Sequence, residues 1–432
     1  MRNKIVLSWC RFFVLPGLVA VGQPVARGAE AVGSGVPNPV TLQAAIQIAL
    51  ASNPGLGASR ARIEGAAGRA YQAGKWSNPE LELSAEEWPV SDGGSFSDAK
   101  QTIGIAQTLP YPGKKSLDRR IGAAGVRLSE TELALRQTEV VRDVKAAFFG
   151  VLAAERLVEV SRQLVAVAES SASTAKKRVD AGAAALQEQL RAEVQWEQAR
   201  TELADFQEGL NRARQMFTTL LGRPELKDSA ISGALAEAPY PALMAPTEEN
   251  WLGSHPSMAA AQANLDRASL ERRRARLEPY PDVTVGVAGG RAGETDQSIV
   301  QFGFSLPLPI LDTGKGKQQE ARANVSGAEA ELVAVRQELQ REWATAQKRY
   351  RTAAGQVSIY RDRILPKADE ALRLVQTGFE EGKFTFIDLV DTQRTTAEAR
   401  LVFHQKLLEL NIAQAELEAL LYPQTYSVPT RN

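Results

Sequence analysis

The chain is a duplicate of itself, and that constrains its fold more than any other feature. Asn53-Pro54 and His255-Pro256 lie 202 residues apart, as do Asn78-Pro79 and Tyr280-Pro281. In each half a helical stretch of equal length joins the two X-Pro steps, Ala58 to Gly74 and Ala260 to Arg276. An alternating segment follows each second step, Glu80-Leu81-Glu82-Leu83 and Asp282-Val283-Thr284-Val285. Next, Ile103-Gly104-Ile105 aligns with Phe302-Gly303-Phe304 at an offset of 199. Both run into Pro-rich turns that end in Gly-Lys, at Gly113-Lys114 and Gly314-Lys315. Farther on, Gly182, Leu190, Arg200 and Leu220 match Gly382, Val390, Arg400 and Leu420 at an offset of 200. Offsets that drift by only three residues along each half mark an internal repeat.

Each half therefore reads as short helix, strand, loop, strand, long helix, tight turn, long helix. The expected division is a signal peptide at 1–29, a first repeat at 30–222, a connector at 223–247, a second repeat at 248–422 and a tail at 423–432. Pro224, Pro239, Pro241 and Pro246 make the connector irregular. At the N-terminus, Arg2 and Lys4 precede a short apolar run, Phe12 to Val21, and then small residues, the order of an export signal. The run is too short to span a bilayer as a helix, and no later stretch reaches the required ~18 apolar residues. Cys10 falls inside the expected signal and is removed with it.

Residues 115–177 contain no proline, and Val140, Val144, Phe148, Val151, Leu157, Val160, Leu164 and Val167 recur at helical spacing. A helix of about 60 residues is ~90 Å long, which suits a coiled coil better than a compact domain. Residues 186–221 form the return helix, and 317–377 with 385–421 repeat the pair. Pro366 is expected to kink the third long helix, and Gly182 and Gly382 mark the two turns.

Strands are expected at 80–88, 99–109, 282–290 and 298–308, about the length a tilted strand needs to cross a bilayer. Alternation puts Leu81, Leu83, Ile103, Ile105, Val283, Val285, Val287, Phe302 and Phe304 on one face. Glu82, Ser84, Thr102, Gly104, Thr284, Gln301 and Gly303 fall on the other. Trp76, Trp88, Tyr111 and Tyr280 sit near strand ends, where an interfacial aromatic belt would lie. Taken alone, such strands are also compatible with soluble hairpins packed on a core. The export signal and the very long helical hairpins favour a membrane sheet. Four strands cannot close a barrel, and open edges in lipid leave costly unsatisfied backbone groups. The chain must then oligomerise, and three copies would supply twelve strands.

Composition excludes other classes. Fifty-one Lys and Arg balance fifty-one Asp and Glu, unlike the basic excess of nucleic-acid binders. The two histidines, His255 and His404, and the single Cys10 are too far apart to build a metal cage or a Cys–His pair. Adjacent carboxylates such as Glu86 and Glu87 point to opposite faces of a strand. No triad or nucleotide loop is present, so neither an enzyme nor a cofactor is expected.

Across about residues 40–422 the layout resembles the TolC family of outer-membrane efflux channels. Thr41-Leu42-Gln43-Ala44-Ala45 through Asn53-Pro54 is similar to that family's first helix. Gly378-Phe379-Glu380-Glu381-Gly382 followed by Phe386-Ile387-Asp388-Leu389-Val390-Asp391 is similar to its second hairpin turn. The resemblance implies a mixed, mainly α fold: a homotrimer whose twelve-stranded transmembrane β-barrel continues into a periplasmic helical tunnel. It also implies docking on a periplasmic adaptor and an inner-membrane pump. The turn Leu109-Pro110-Tyr111-Pro112-Gly113-Lys114-Lys115 resembles the heavy-metal-efflux, CzcC-like branch, which works with resistance–nodulation–division pumps. Organic-solute efflux or protein secretion through the same fold is the alternative, and a non-pore coiled-coil scaffold the alternative of a different class.

Asp388 and Asp391, at i,i+3 near a helix start, lie on one face and would form two stacked carboxylate rings in a three-fold tube. The resemblance implies a periplasmic gate at these positions. The other explanation is that acids favour a first helical turn. In the first half Glu188 and Arg191 occupy the matching positions. Gly182 and Gly382 are candidate adaptor-docking turns, with simple helix-end geometry as the competing account. Lys176, Lys177 and Arg178 could pair with Glu380 and Glu381, or be solvated surface charge.

Overall fold

A computed structural model describes residues 39–87, 96–238, 248–293, 295 and 297–421. The expected signal, Trp88, most of the first strand-connecting loop, part of the connector and the C-terminal tail lie outside them. Strand β1 (Val40–Thr41) leads into helices α1 (Leu42–Ser52) and α2 (Pro54–Ala73), followed by strands β2 (Glu80–Glu86) and β3 (Lys100–Leu109). Helices α3 (Lys114–Asp180) and α4 (Leu186–Leu221) complete the first half. Strand β4 (Ile231–Ser232) lies in the connector and pairs with β1 in parallel, so that segment is not wholly irregular. The second half holds α5 (Glu248–Ser254), α6 (Pro256–Ala275), β5 (Val283–Ala292), β6 (Gln297–Ser305), α7 (Lys315–Ile359), α8 (Leu365–Glu380) and α9 (Phe386–Leu421).

The X-Pro steps are helix starts. Asn53 accepts from the amides of Gly55 and Leu56, and Pro54 opens α2, where its missing N–H leaves no helical bond unmade. His255 and Pro256 repeat the arrangement at α6, with Nδ1 accepting from the Ser257 amide at 3.2 Å. These helices therefore begin four residues earlier than the periodicity alone suggests. Helix α3 runs 67 residues, roughly 100 Å at the usual rise. Pro366 does not stop the third long helix. Between α7 and α8 the chain makes a π-helical turn, Tyr360–Ile364, with the Leu365 amide donating to the Tyr360 carbonyl. The wider turn takes up the backbone adjustment that proline forces on the preceding residues.

The helices pack through apolar stripes. In the first half Val140, Val144, Phe148 and Val151 of α3 are buried along with Phe217 and Leu221 of α4, and Phe148 meets Phe217 edge-on at 5.9 Å. In the second half Tyr350 and Val357 of α7 lie with Leu407, Leu410 and Leu417 of α9 in one cluster. The sheet is antiparallel in the order β2-β3-β5-β6, so the two halves join where β3 meets β5.

Strand pairing corrects the repeat alignment. Leu83 faces Ile103 in the first hairpin, and Val285 faces Phe304 in the second. With Leu83 matched to Val285 at offset 202, Ile103 is the structural counterpart of Phe304, at 201. Matching the letters Ile-Gly-Ile to Phe-Gly-Phe at 199 is therefore off by two residues. The 201 offset carries through to Gly113 and Gly314, and the two turns have equal length.

Candidate functional site

Two regions carry chemistry that the helical scaffold does not explain. The first is the sheet. Register aligns Leu81, Ile105, Val287 and Phe302 across the four strands on one face. Leu83, Ile103, Gly289 and Val300 form the next row. These large apolar side chains are solvent-exposed, Leu81 by 66% and Phe302 by 86%. A contiguous apolar patch of this kind marks a surface covered by lipid or another protein. The opposite face carries Glu80, Glu82, Ser84, Thr102, Gly104, Gly286, Gln301 and Gly303. There Ser84 and Thr102 hydroxyls meet at 2.7 Å, and Glu86 pairs with Lys100. Apolar outward and polar inward is the division of a transmembrane β-barrel wall. Among the described residues, no helix is long and apolar enough to cross a membrane.

Below the sheet, the first half clamps the second. Tyr111 stacks on Tyr280 at 4.6 Å. Asp282 accepts from the Tyr111 amide and from Lys114 Nζ, both at 2.8 Å. Arg274 donates to Asp118 and Glu278, and Glu278 also pairs with Lys317. The sequence reading missed this network, three of whose contacts (Tyr111–Tyr280, Lys114–Asp282 and Asp118–Arg274) join residues of different halves. The aromatic pair at the strand ends was its one visible signal.

The second region is the pair of hairpin tips. At Gly182, φ is +70°; the Ala183 amide donates to the Arg178 carbonyl and the Gly182 amide to that of Val179. At Gly382, φ is +73°, with Lys383 donating to Gly378 and Gly382 to Phe379. Both are Schellman ends, which place a left-handed residue just past the helix. The two glycines are thus satisfied as helix terminators by geometry alone.

Asp388 is engaged in the next helix start. Its carboxylate accepts from the Thr385 hydroxyl at 2.6 Å and the Thr385 amide at 2.8 Å, and Thr385 Oγ1 accepts in return from the Asp388 amide. This reciprocal cap holds the Asp388 carboxyl below its ordinary pKa, the Thr385 hydroxyl contributing most. Asp391 makes a longer contact, 3.4 Å, with Arg394 and stays exposed. The two aspartates share a groove of about 550 Å³ between α4 and α9 with Glu188 and Arg191, their repeat counterparts. Arg191 thus brings one positive charge to the same groove as the acids.

The basic run at the first tip makes no ion pair with Glu380 or Glu381 of the second. Arg178 bonds Glu188 at 2.9 Å within its own hairpin and lies over the Phe379 ring, while Lys383 pairs with Glu381. Phe386, buried with Ala172, Ala175 and Ala192, holds the hairpins together instead. Among the described residues, no group of three His, Cys, Asp or Glu could hold a metal ion.

A family model described as outer membrane efflux protein matches residues 45–223 and 249–421, one segment in each half. The cobalt-zinc-cadmium resistance protein CzcC of Cupriavidus metallidurans is 30% identical over 366 residues, covering 84% of this chain and 85% of that protein. The pyoverdine export outer membrane protein OpmQ of Pseudomonas putida is 24% identical over 400 residues, covering 87% and 84%. Among solved structures, the CmeC outer membrane channel of Campylobacter jejuni matches with a TM-score of 0.75 at 14% identity, covering 88% of this chain and 85% of that one. The chain belongs to the outer membrane efflux protein family, in the branch that includes CzcC.

Proposed function

We propose that three copies of this outer membrane protein close into a twelve-stranded barrel and a helical tunnel, the passive outer duct of a tripartite efflux system. The exposed apolar face running across all four strands carries this reading, because its inner face is polar and its outer strands β2 and β6 have no further partner among the described residues. Such edges are satisfied in lipid only by closure. The energy for transport then comes from an inner-membrane pump of the resistance–nodulation–division type, reached through a periplasmic adaptor that engages the tips at Gly182 and Gly382. Likeness to CzcC supports divalent metal cations as the cargo. The exposed acids Asp388 and Asp391 suit the entrance of such a duct, as a ring that favours cations.

The test is deletion of the gene in its host, followed by growth on cobalt, zinc and cadmium salts and on organic toxicants. Metal hypersensitivity restored by the cloned gene supports the reading. Unchanged metal tolerance with loss of organic-solute export would replace it by the second one, which the OpmQ similarity favours.

A further inference from the structure

The clamp between the two halves is also a template. Lys114 follows the turn after β3, and Asp282 opens the approach to β5. Repeat offsets of 201 and 202 make Lys315 the counterpart of Lys114 and Glu80 that of Asp282. The counterparts keep the charges but lie at opposite edges of the sheet, Glu80 opening β2 and Lys315 following β6. Both are exposed, and among the described residues neither has an ion-pair partner. By contrast the Lys114 side chain is only 7% exposed at its 2.8 Å contact with Asp282.

The strands tell the same story. β3 extends to Leu109 because β5 lies beside it, whereas β6 stops at Ser305. Beyond Ser305 come Leu306, Leu308 and Ile310, alternating with Pro307 and Pro309, and all three apolar side chains are exposed. Their counterparts Ile105, Gln107 and Leu109 face Val287, Val285 and Val283. Shifting that register by the repeat offsets sets Leu306 opposite Ala85, Leu308 opposite Leu83, and Ile310 opposite Leu81. Every pair keeps to the apolar face. Pro307 and Pro309 share one parity, so they remove ladder donors on one side only and leave those of Leu306 and Leu308 for the other. In the single chain the Ile310 amide donates to the Leu308 carbonyl at 2.8 Å, a bond that pairing through Ile310 would replace. The helices show the same unfilled half. Phe386 is 5% exposed where α9 meets α3, while its counterpart Leu186 on α4 is 60% exposed.

We infer that the seam between chains repeats the seam between halves. Lys315 of one copy pairs with Glu80 of the next, and β6 lengthens through Ile310 along β2 of that neighbour. The contact is head-to-tail, and such contacts form a ring when the rotation closes. This rests on the assembly described under the proposed function and names the residues that make it.

The test uses the full chain purified in detergent, with assembly read by native mass and thermal dissociation. Glu80→Lys and Lys315→Glu should each lower the dissociation temperature, and the double variant should recover most of the loss. Independently, in a Cys10→Ser background, Leu83→Cys with Leu308→Cys should oxidise to covalent trimers in several-fold higher yield than Leu83→Cys with Leu306→Cys. An assembled protein whose charge variants dissociate like the parent, or whose 83/306 pair cross-links better, overturns this seam. A parent that does not assemble overturns the trimeric duct itself.

Discussion

Asn53 and His255 hold the same helix start 202 residues apart, each accepting from the amide two residues on, but only His255 can take up a proton. Burial brings the His255 pKa down to about 4, and Nδ1 is the atom that caps the helix. The unfolded chain binds this proton near pH 6.5, so acidification from there to about pH 4 favours unfolding, by up to roughly 3 kcal/mol. His255→Asn, the residue the first half already uses, keeps an acceptor and removes the titration. Denaturant midpoints measured between pH 7 and 4.5 should fall less in the variant than in the parent. Trp251, edge-on to the imidazole at 6.5 Å, supplies a fluorescence readout.

Neighbouring residues on β6 separate the exposed apolar face of the sheet, which the proposed barrel turns to lipid, from its polar face. Phe302 is on the exposed apolar side and Gln301 on the polar one. Lysine at a lipid-facing barrel position costs about 2–4 kcal/mol near the bilayer midplane. Phe302→Lys should therefore sharply reduce the protein recovered in outer membranes, while Gln301→Lys leaves it near the parental level. Equal recovery of the two variants, measured by membrane fractionation, would contradict the assigned faces.

The long helices and the repeat were legible because apolar residues at three- and four-residue spacing have only one way to be buried along a hairpin. The alternating faces of the strands were legible for the same kind of reason. Strand register was not. Ile-Gly-Ile and Phe-Gly-Phe match as letters, but backbone pairing fixes which residues stand opposite, and it makes Ile103 equivalent to Phe304. The Lys114–Asp282 clamp was hidden by the sequence separation of 168 between its partners. The Asp388 cap was in plain view, since Thr385 stands three residues before it, the spacing of a reciprocal helix cap. The start of α2 at Pro54 was also available, from the preference of proline for a first helical position.

At the second tip, backbone conformation and docking separate by substitution. Gly382 has φ +73°, and an added Cβ would meet nothing within 4 Å. Alanine should cost only the left-handed backbone penalty, about 1 kcal/mol, and asparagine, which tolerates that region, less. If Gly382 serves only to end the helix, Gly382→Asn should retain efflux. If an adaptor must approach the bare backbone, Gly382→Asn loses efflux while amide exchange around the turn stays parental. Growth at inhibitory metal concentrations, paired with that exchange measurement, distinguishes the two outcomes.

The two aspartates of the shared groove should separate in the same way. Asp388 spends its carboxylate on the Thr385 cap, whereas Asp391 is exposed with only a long contact to Arg394. Both carboxylates are exposed, but Asp388 already accepts two hydrogen bonds from Thr385 that offset part of its field, so neutralising Asp391 should weaken cation preference more than neutralising Asp388. Asp388→Asn should instead loosen the start of α9, an effect that Thr385→Ala would reproduce and Asp391→Asn would not. Reversal potentials in planar bilayers under a salt gradient should then shift toward zero in the order parent, Asp388→Asn, Asp391→Asn, double variant. Arg191, in the same groove, supplies the converse control: Arg191→Gln removes a positive charge and should move the potential further toward cation selectivity. A double variant with the parental reversal potential would leave these acids as helix-start residues alone.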